Sequence, residues 1–100
     1  MYQGETITVT IAGLPFPTSY IRLVSIVFHT ETKTILEKAV NDCIIGEDFI
    51  QCTLTQKDTL AFPCGPIKQS VVIVCNDGSR FERDEGAIIV NKTSKREVML

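Results

Sequence analysis

Glu5-Thr6-Ile7-Thr8-Val9-Thr10-Ile11 decides the fold class. Side chains alternate along an extended chain, so Ile7, Val9 and Ile11 share one face and Thr6, Thr8 and Thr10 the other. This period of two predicts a strand with one buried and one wet face. The same preference runs through the chain, where 12 Ile, 9 Val and 11 Thr make up nearly a third of the 100 residues. Such β-branched side chains are stiff at χ1 and suit a pleated surface better than a helix. Gly13-Leu14-Pro15-Phe16-Pro17 breaks the ladder, because neither proline has an N–H to donate.

Outward from that segment the pattern repeats. Tyr20–Thr30 predicts a second strand, with Leu23, Ser25 and Val27 on one face and Val24, Ile26 and Phe28 on the other. Apolar groups on both faces indicate a central strand or one covered by a partner. Thr34–Ala39 follows a polar turn, and Asn41–Asp48 reads as an acidic, glycine-containing link. Phe49–Leu54 alternates again, with Ile50, Cys52 and Leu54 inward. Thr55-Gln56-Lys57-Asp58-Thr59-Leu60 carries an N-cap threonine and an acidic residue three positions on, which predicts one helical turn across the end of the sandwich. Asp58 stands where a capping box normally has Glu or Gln, so the box reads as imperfect. Leu60 and Phe62 are placed to plug the end.

Ile67–Cys75 predicts the longest strand, and Asn76-Asp77-Gly78-Ser79 a tight hairpin whose Asp-Gly tolerates positive φ. Arg80–Arg83 and Ala87–Val90 read as two strands separated by Asp84-Glu85-Gly86. The whole is a single domain, residues 1–100: an all-β, antiparallel immunoglobulin-like β-sandwich of about seven strands, with one short helical turn near residues 55–60. A small barrel is the alternative.

The chain is 44% hydrophobic and 22% charged, which excludes a disordered polypeptide. No apolar run reaches the ~20 residues of a membrane span. Ten basic and twelve acidic residues give a net charge of -2, so no global field draws nucleic acid or anionic lipid. Met1–Thr6 has neither a basic nor an apolar signal region, so no signal peptide and a reducing compartment are expected. The thiols of Cys43, Cys52, Cys64 and Cys75 then stay free; Cys52 and Cys75 are the pair placed to bridge if their strands face each other. Asn91-Lys92-Thr93 fits a glycosylation acceptor and, without secretion, reads as a polar loop.

No catalytic constellation is legible. His29 is the single histidine and reads as a solvated strand-end side chain. Asp84 and Glu85 are chain neighbours that face opposite ways on a strand. Asp42, Glu47 and Asp48 are oxygen ligands without calcium-loop spacing, and no C-x-x-C pair offers a zinc site. Arg80, Arg83, Lys92, Lys95 and Arg96 make the last third basic, but only Phe81 is there to stack on a base. No catalytic residue, cofactor, metal or small-molecule substrate is expected. The candidate contact surface is apolar: Val24, Ile26 and Phe28 on the second strand, and Val98, Met99 and Leu100 at the end.

Leu54-Thr55-Gln56-Lys57-Asp58-Thr59-Leu60-Ala61-Phe62, then Gly65-Pro66-Ile67-Lys68-Gln69, Asp77-Gly78-Ser79-Arg80 and the apolar finish Val98-Met99-Leu100 resemble a family of small proteins encoded in phages and prophages of Gram-positive bacteria. The likeness spans nearly the whole chain, and its sharp part is about thirty residues. Lys57 stands where the family commonly has an acidic residue, and four cysteines are unusual for it. The resemblance implies a non-enzymatic virion-associated protein of tail or baseplate type. It would contact other phage structural proteins or itself, in the host bacterial cytoplasm during assembly and then in the virion. A ligand- or carbohydrate-binding sandwich is the alternative, with the loops Asp42–Asp48 and Asp77–Arg80 as its site.

Overall fold

The computed structural model describes residues 1–99. Seven strands form: β1 (Ile7–Ala12), β2 (Ile21–His29), β3 (Thr34–Ala39), β4 (Cys43–Ile45), β5 (Phe49–Leu54), β6 (Gly65–Cys75) and β7 (Arg80–Val90). One short helix, α1 (Gln56–Leu60), links β5 to β6. The strands pair antiparallel in two sheets, ordered β1-β5-β4 and β3-β2-β6-β7. In immunoglobulin lettering this is B-E-D against C′-C-F-G. Ahead of β1, Tyr2 makes an isolated parallel bridge to Asn91.

The two inner faces interdigitate as a sandwich core. Ile11, Ile50, Cys52 and Leu54 from the first sheet meet Val24, Ile26, Phe28, Ile67, Val71 and Ile73 from the second. Phe62 closes the end by α1, its ring 5.8 Å from that of Phe28. The other end is closed by Phe16 edge-on to Phe81 at 5.4 Å.

The strand count agrees with the sequence, but two strands differ. Arg80–Arg83 and Ala87–Val90 are one strand, β7. Asp84-Glu85-Gly86 is a bulge within it, where the pairing to β6 slips between Gln69 and Ser70. Gly86 sits there at φ +90°, where an L side chain is strained, so the residues that look like a break only bend the ladder. The link Asn41–Asp48 contains the short edge strand β4, whose Cys43 stands opposite Cys52. Three residues are too few for alternation to reveal.

The turn at Thr55 caps more fully than its sequence indicates. Thr55 Oγ1 accepts from the Asp58 N–H at 3.2 Å, and Asp58 Oδ2 accepts from the Thr55 N–H at 2.9 Å. Asp58 closes the box despite its shorter side chain. Thr59, not Leu60, is the fully buried residue of the turn; its hydroxyl donates to the Glu5 carbonyl at 2.8 Å.

Candidate interaction surface

The candidate contact residues on β2 are core residues. Val24, Ile26 and Phe28 are at most 4% exposed and pack between the sheets. Alternation shows that β2 is apolar on both faces; which face turns inward depends on the second sheet. The outward face is the other one. There Leu23 pairs with Val74, Ser25 with Val72 and Val27 with Ser70. Leu23 is 49% exposed. This apolar stripe on the four-stranded sheet is edged by groups that neutralise one another: Arg80 with Glu82 at 3.2 Å and Lys68 with Glu31 at 3.6 Å.

Val98 and Met99 are exposed; Leu100 lies outside the described residues. The segment is held in its own chain. The Gln56 carboxamide donates to the Met99 carbonyl at 2.6 Å and accepts from the Met99 N–H at 2.8 Å. Gln3, also buried, ties three segments together. Its amide donates to the Phe62 carbonyl at 2.7 Å, while its oxygen accepts from Arg96 at 3.1 Å and from the Thr93 N–H. The sequence gives no signal for Gln3, whose role depends wholly on which segments meet there. Tyr2, Ile44, Ile45 and Ile89 are further exposed apolar residues that the sequence did not single out.

His29 is half-buried, not solvated: its Nε2 lies 3.1 Å from Ser70 Oγ and its Nδ1 3.3 Å from the Thr30 carbonyl. The pair sits on the outer sheet face, and none of the cavities described below includes it. Among the described residues no three His, Cys, Asp or Glu side chains gather as metal ligands. Asp42 instead caps a 3-10 turn by accepting from the Ala39 N–H at 3.0 Å.

Other charges are likewise engaged in local structure. Lys38, on the inner side of β3, reaches Asp58 at 2.9 Å. That hydrogen bond raises the Lys38 pKa against the opposing effect of burial. Burial pushes the Asp58 carboxyl up, but the Thr55 N–H and the Lys38 ammonium outweigh it and hold the carboxyl below its ordinary value. Asp77 is lowered by the hydroxyl and N–H of Ser79, which fix the hairpin. All four cysteines are free. Burial, with Cys43 alongside, pushes the Cys52 thiol up to about 11.

Two openings are notable. At the hairpin end a cavity of about 390 Å³ lies among Phe16, Tyr20, Cys75, Asn76, Asp77 and Ser79, with Tyr20 56% exposed. Along the flank between β1 and β7 runs a groove of about 270 Å³, bounded by Ile7–Ile11, Gln69, Glu85 and Ile88. Among the described residues no helix is long and apolar enough to cross a membrane. No known family, no curated protein and no solved structure matches the chain.

Proposed function

We propose that this chain is a non-enzymatic structural protein of a phage or prophage particle, of tail or baseplate type, acting through protein–protein contacts. The observation that carries the reading is the apolar stripe Leu23–Val72–Val74 on the outer face of the four-stranded sheet, where Leu23 is exposed and Val72 and Val74 are half-buried. Apolar area left open in this way on a small domain marks a contact surface. The sequence resemblance supplies the setting: a partner within a particle, met in the bacterial cytoplasm and carried into the virion. Small-molecule substrates, nucleic acid and membranes have no part in it. The test is mass spectrometry of density-banded particles from an induced host. The chain is expected in fixed ratio to a known tail protein. Expression of the chain with none in the particles would overturn the reading.

The hairpin-end cavity favours a second reading, a ligand- or carbohydrate-binding module, because Tyr20 offers an aromatic face at its mouth. Binding of glycans on an array, lost in Tyr20→Ala, would support it. An array without hits would dispose of it.

A further inference from the structure

Cys43 and Cys52 stand directly opposite each other on the neighbouring strands β4 and β5. The ladder between these strands sets how close they come. Where the hairpin turns, the Gly46 N–H donates to the carbonyl of Phe49, its opposite partner in the same register, at 2.8 Å. Partners along an antiparallel pair alternate between those that exchange hydrogen bonds and those that do not. From Gly46–Phe49 the bonded kind recurs at Ile44–Gln51, which leaves Ile45–Ile50 and Cys43–Cys52 as the unbonded kind. Unbonded partners have the closer side chains, with Cα atoms about 4.5 Å apart. A disulfide spans Cα separations of about 4.4–6.8 Å, so two sulfurs at this position can join without parting the strands.

The surroundings of the two thiols are an independent observation. Cys52 faces the core and is 3% exposed, whereas Cys43, on the outer strand of its sheet, is only partly buried. The Cys43 thiol is held by one weak bond, donated to the Ala39 carbonyl at 3.3 Å. Burial raises both thiols above their ordinary value, each bears on the ionisation of the other, and Lys38 opposes the rise in both. The two sulfurs thus share one local field, beside a cation that favours the thiolate. The other cysteines have no such counterpart. Cys75 stands opposite Ile21, and Cys64 lies in the loop before β6.

We propose that Cys43 and Cys52 close a cross-strand disulfide in oxidising surroundings, and that this bond locks the edge strand β4 onto β5. The oxidant is a small disulfide of the glutathione class. Cys43, the accessible partner, releases its proton to solvent, and its thiolate attacks one sulfur of that disulfide, displacing the other as a thiolate. The Cys52 thiol then loses its proton and attacks Cys43 Sγ, displacing the second small thiolate. Two protein thiols are oxidised, and one small disulfide is reduced to two thiols. Both steps are slow because little of either thiol is ionised at neutral pH. The bond therefore follows a lasting change of compartment, not a brief pulse of oxidant, and a reducing compartment opens it again. Its effect falls on a strand that three partner pairs hold, at the residue where the Val40–Asp42 turn delivers the chain into β4. The inference goes beyond the particle reading and does not depend on it.

The test brings the intact chain to equilibrium with mixtures of reduced and oxidised glutathione at pH 8, followed by acid quench, alkylation and tryptic mass mapping. Cleavage after Lys38 and Lys57 leaves Cys43 and Cys52 in one peptide, with Cys64 and Cys75 in two others. A form of peptide 39–57 lighter by two hydrogens is expected to accumulate, and excess reduced glutathione is expected to remove it. At a fixed mixture, the ratio of bridged to open peptide is expected to be about tenfold or more higher for the folded chain than for the same chain in concentrated urea. Cys75→Ser is expected to leave that ratio unchanged, and Cys43→Ser to leave Cys52 a free thiol. In the bridged chain, amide exchange at Ile44 is expected to slow while that in β3 stays as it was. A ratio no higher folded than unfolded would overturn the proposal. So would Cys43 left as a mixed disulfide that Cys52 does not displace, or a bridge from Cys52 to Cys75. Unchanged exchange at Ile44 in the bridged chain would overturn the lock.

Discussion

The two flanks of the sandwich are closed by different means. On the β3–β4 flank the chain itself crosses between the sheets. A 3-10 turn, Val40–Asp42, carries β3 directly into β4, and Lys38 of β3 reaches Asp58 of α1. On the β1–β7 flank the chain crosses at one end only, where Met1–Gln3 lies beside Asn91 and leads on into β1. The flank is pinned at one end by Arg83, which donates to the Ala12 and Gly13 carbonyls, and at the other by Met1–Gln3. Between the pins lies the groove. A covalent crossing closes a flank at little entropic cost, whereas side-chain pins leave main-chain edges bare.

The largest effect comes from removing what both flanks lean on. Phe28→Ala deletes a fully buried ring that packs on Phe62, and a loss of about 3–5 kcal/mol is expected in denaturant titration. Leu23→Ala, on the outward face of the same strand, is expected to cost under about 1 kcal/mol. Equal costs would mean that the outer face is covered after all.

Arg83→Ala removes the pin of the open flank and strips Glu85, half-hidden beside it, of its partner. The expected loss is about 2–3 kcal/mol. Its signature is local: hydrogen exchange quickens along β1 near Ala12 and not along β3 or β4. Uniform quickening would show that the flanks do not open separately.

Asp58→Asn is the matching cut on the closed flank. It leaves Lys38 unpaired and weakens the cap at Thr55, for about 1–2 kcal/mol at neutral pH. Its pH dependence identifies it. The folded carboxyl is held below its ordinary value of about 3.9, so its contribution is complete above that value and is lost as pH falls through the folded pKa. The difference between the wild-type chain and the variant should shrink below about pH 4. A difference that persists undiminished into acid would mean that the ion pair is not what holds this end.

Much of this architecture is legible in the sequence, and the limits have physical causes. β1 and β5 show themselves because one face is apolar and the other is not. The hairpin at Asp77-Gly78 shows itself because few residues adopt its backbone. β2 is ambiguous because both of its faces are apolar, and only the position of the second sheet chooses between Val24–Ile26–Phe28 and Leu23–Val27. β7 looks broken at Asp84–Gly86 because a bulge and a turn use the same residue types. The candidate groove is invisible for a different reason. Ile7, Val9, Gln69 and Ile88 become neighbours only when the two sheets meet.

The smallest perturbation sharpens the contrast without changing stability. The closed flank shelters two opposed thiols, Cys43 and Cys52, while Cys64 lies exposed in the loop before β6. Alkylation proceeds through the thiolate. At pH 8 a thiol whose pKa is about 11 is ionised in only about one molecule in a thousand, and Cys52 is also screened by the sheets. Intact-mass measurements over time should therefore show one fast adduct, at Cys64, and slow ones at Cys43, Cys75 and Cys52, with Cys52 among the last. Cys43 sits on an edge strand and is only partly buried, so its rate reports on the β3–β4 flank directly. If Cys43 and Cys52 react together, and nearly as fast as Cys64, β4 must be leaving β5. A crossing of three residues would then hold its flank no better than the pins hold the other.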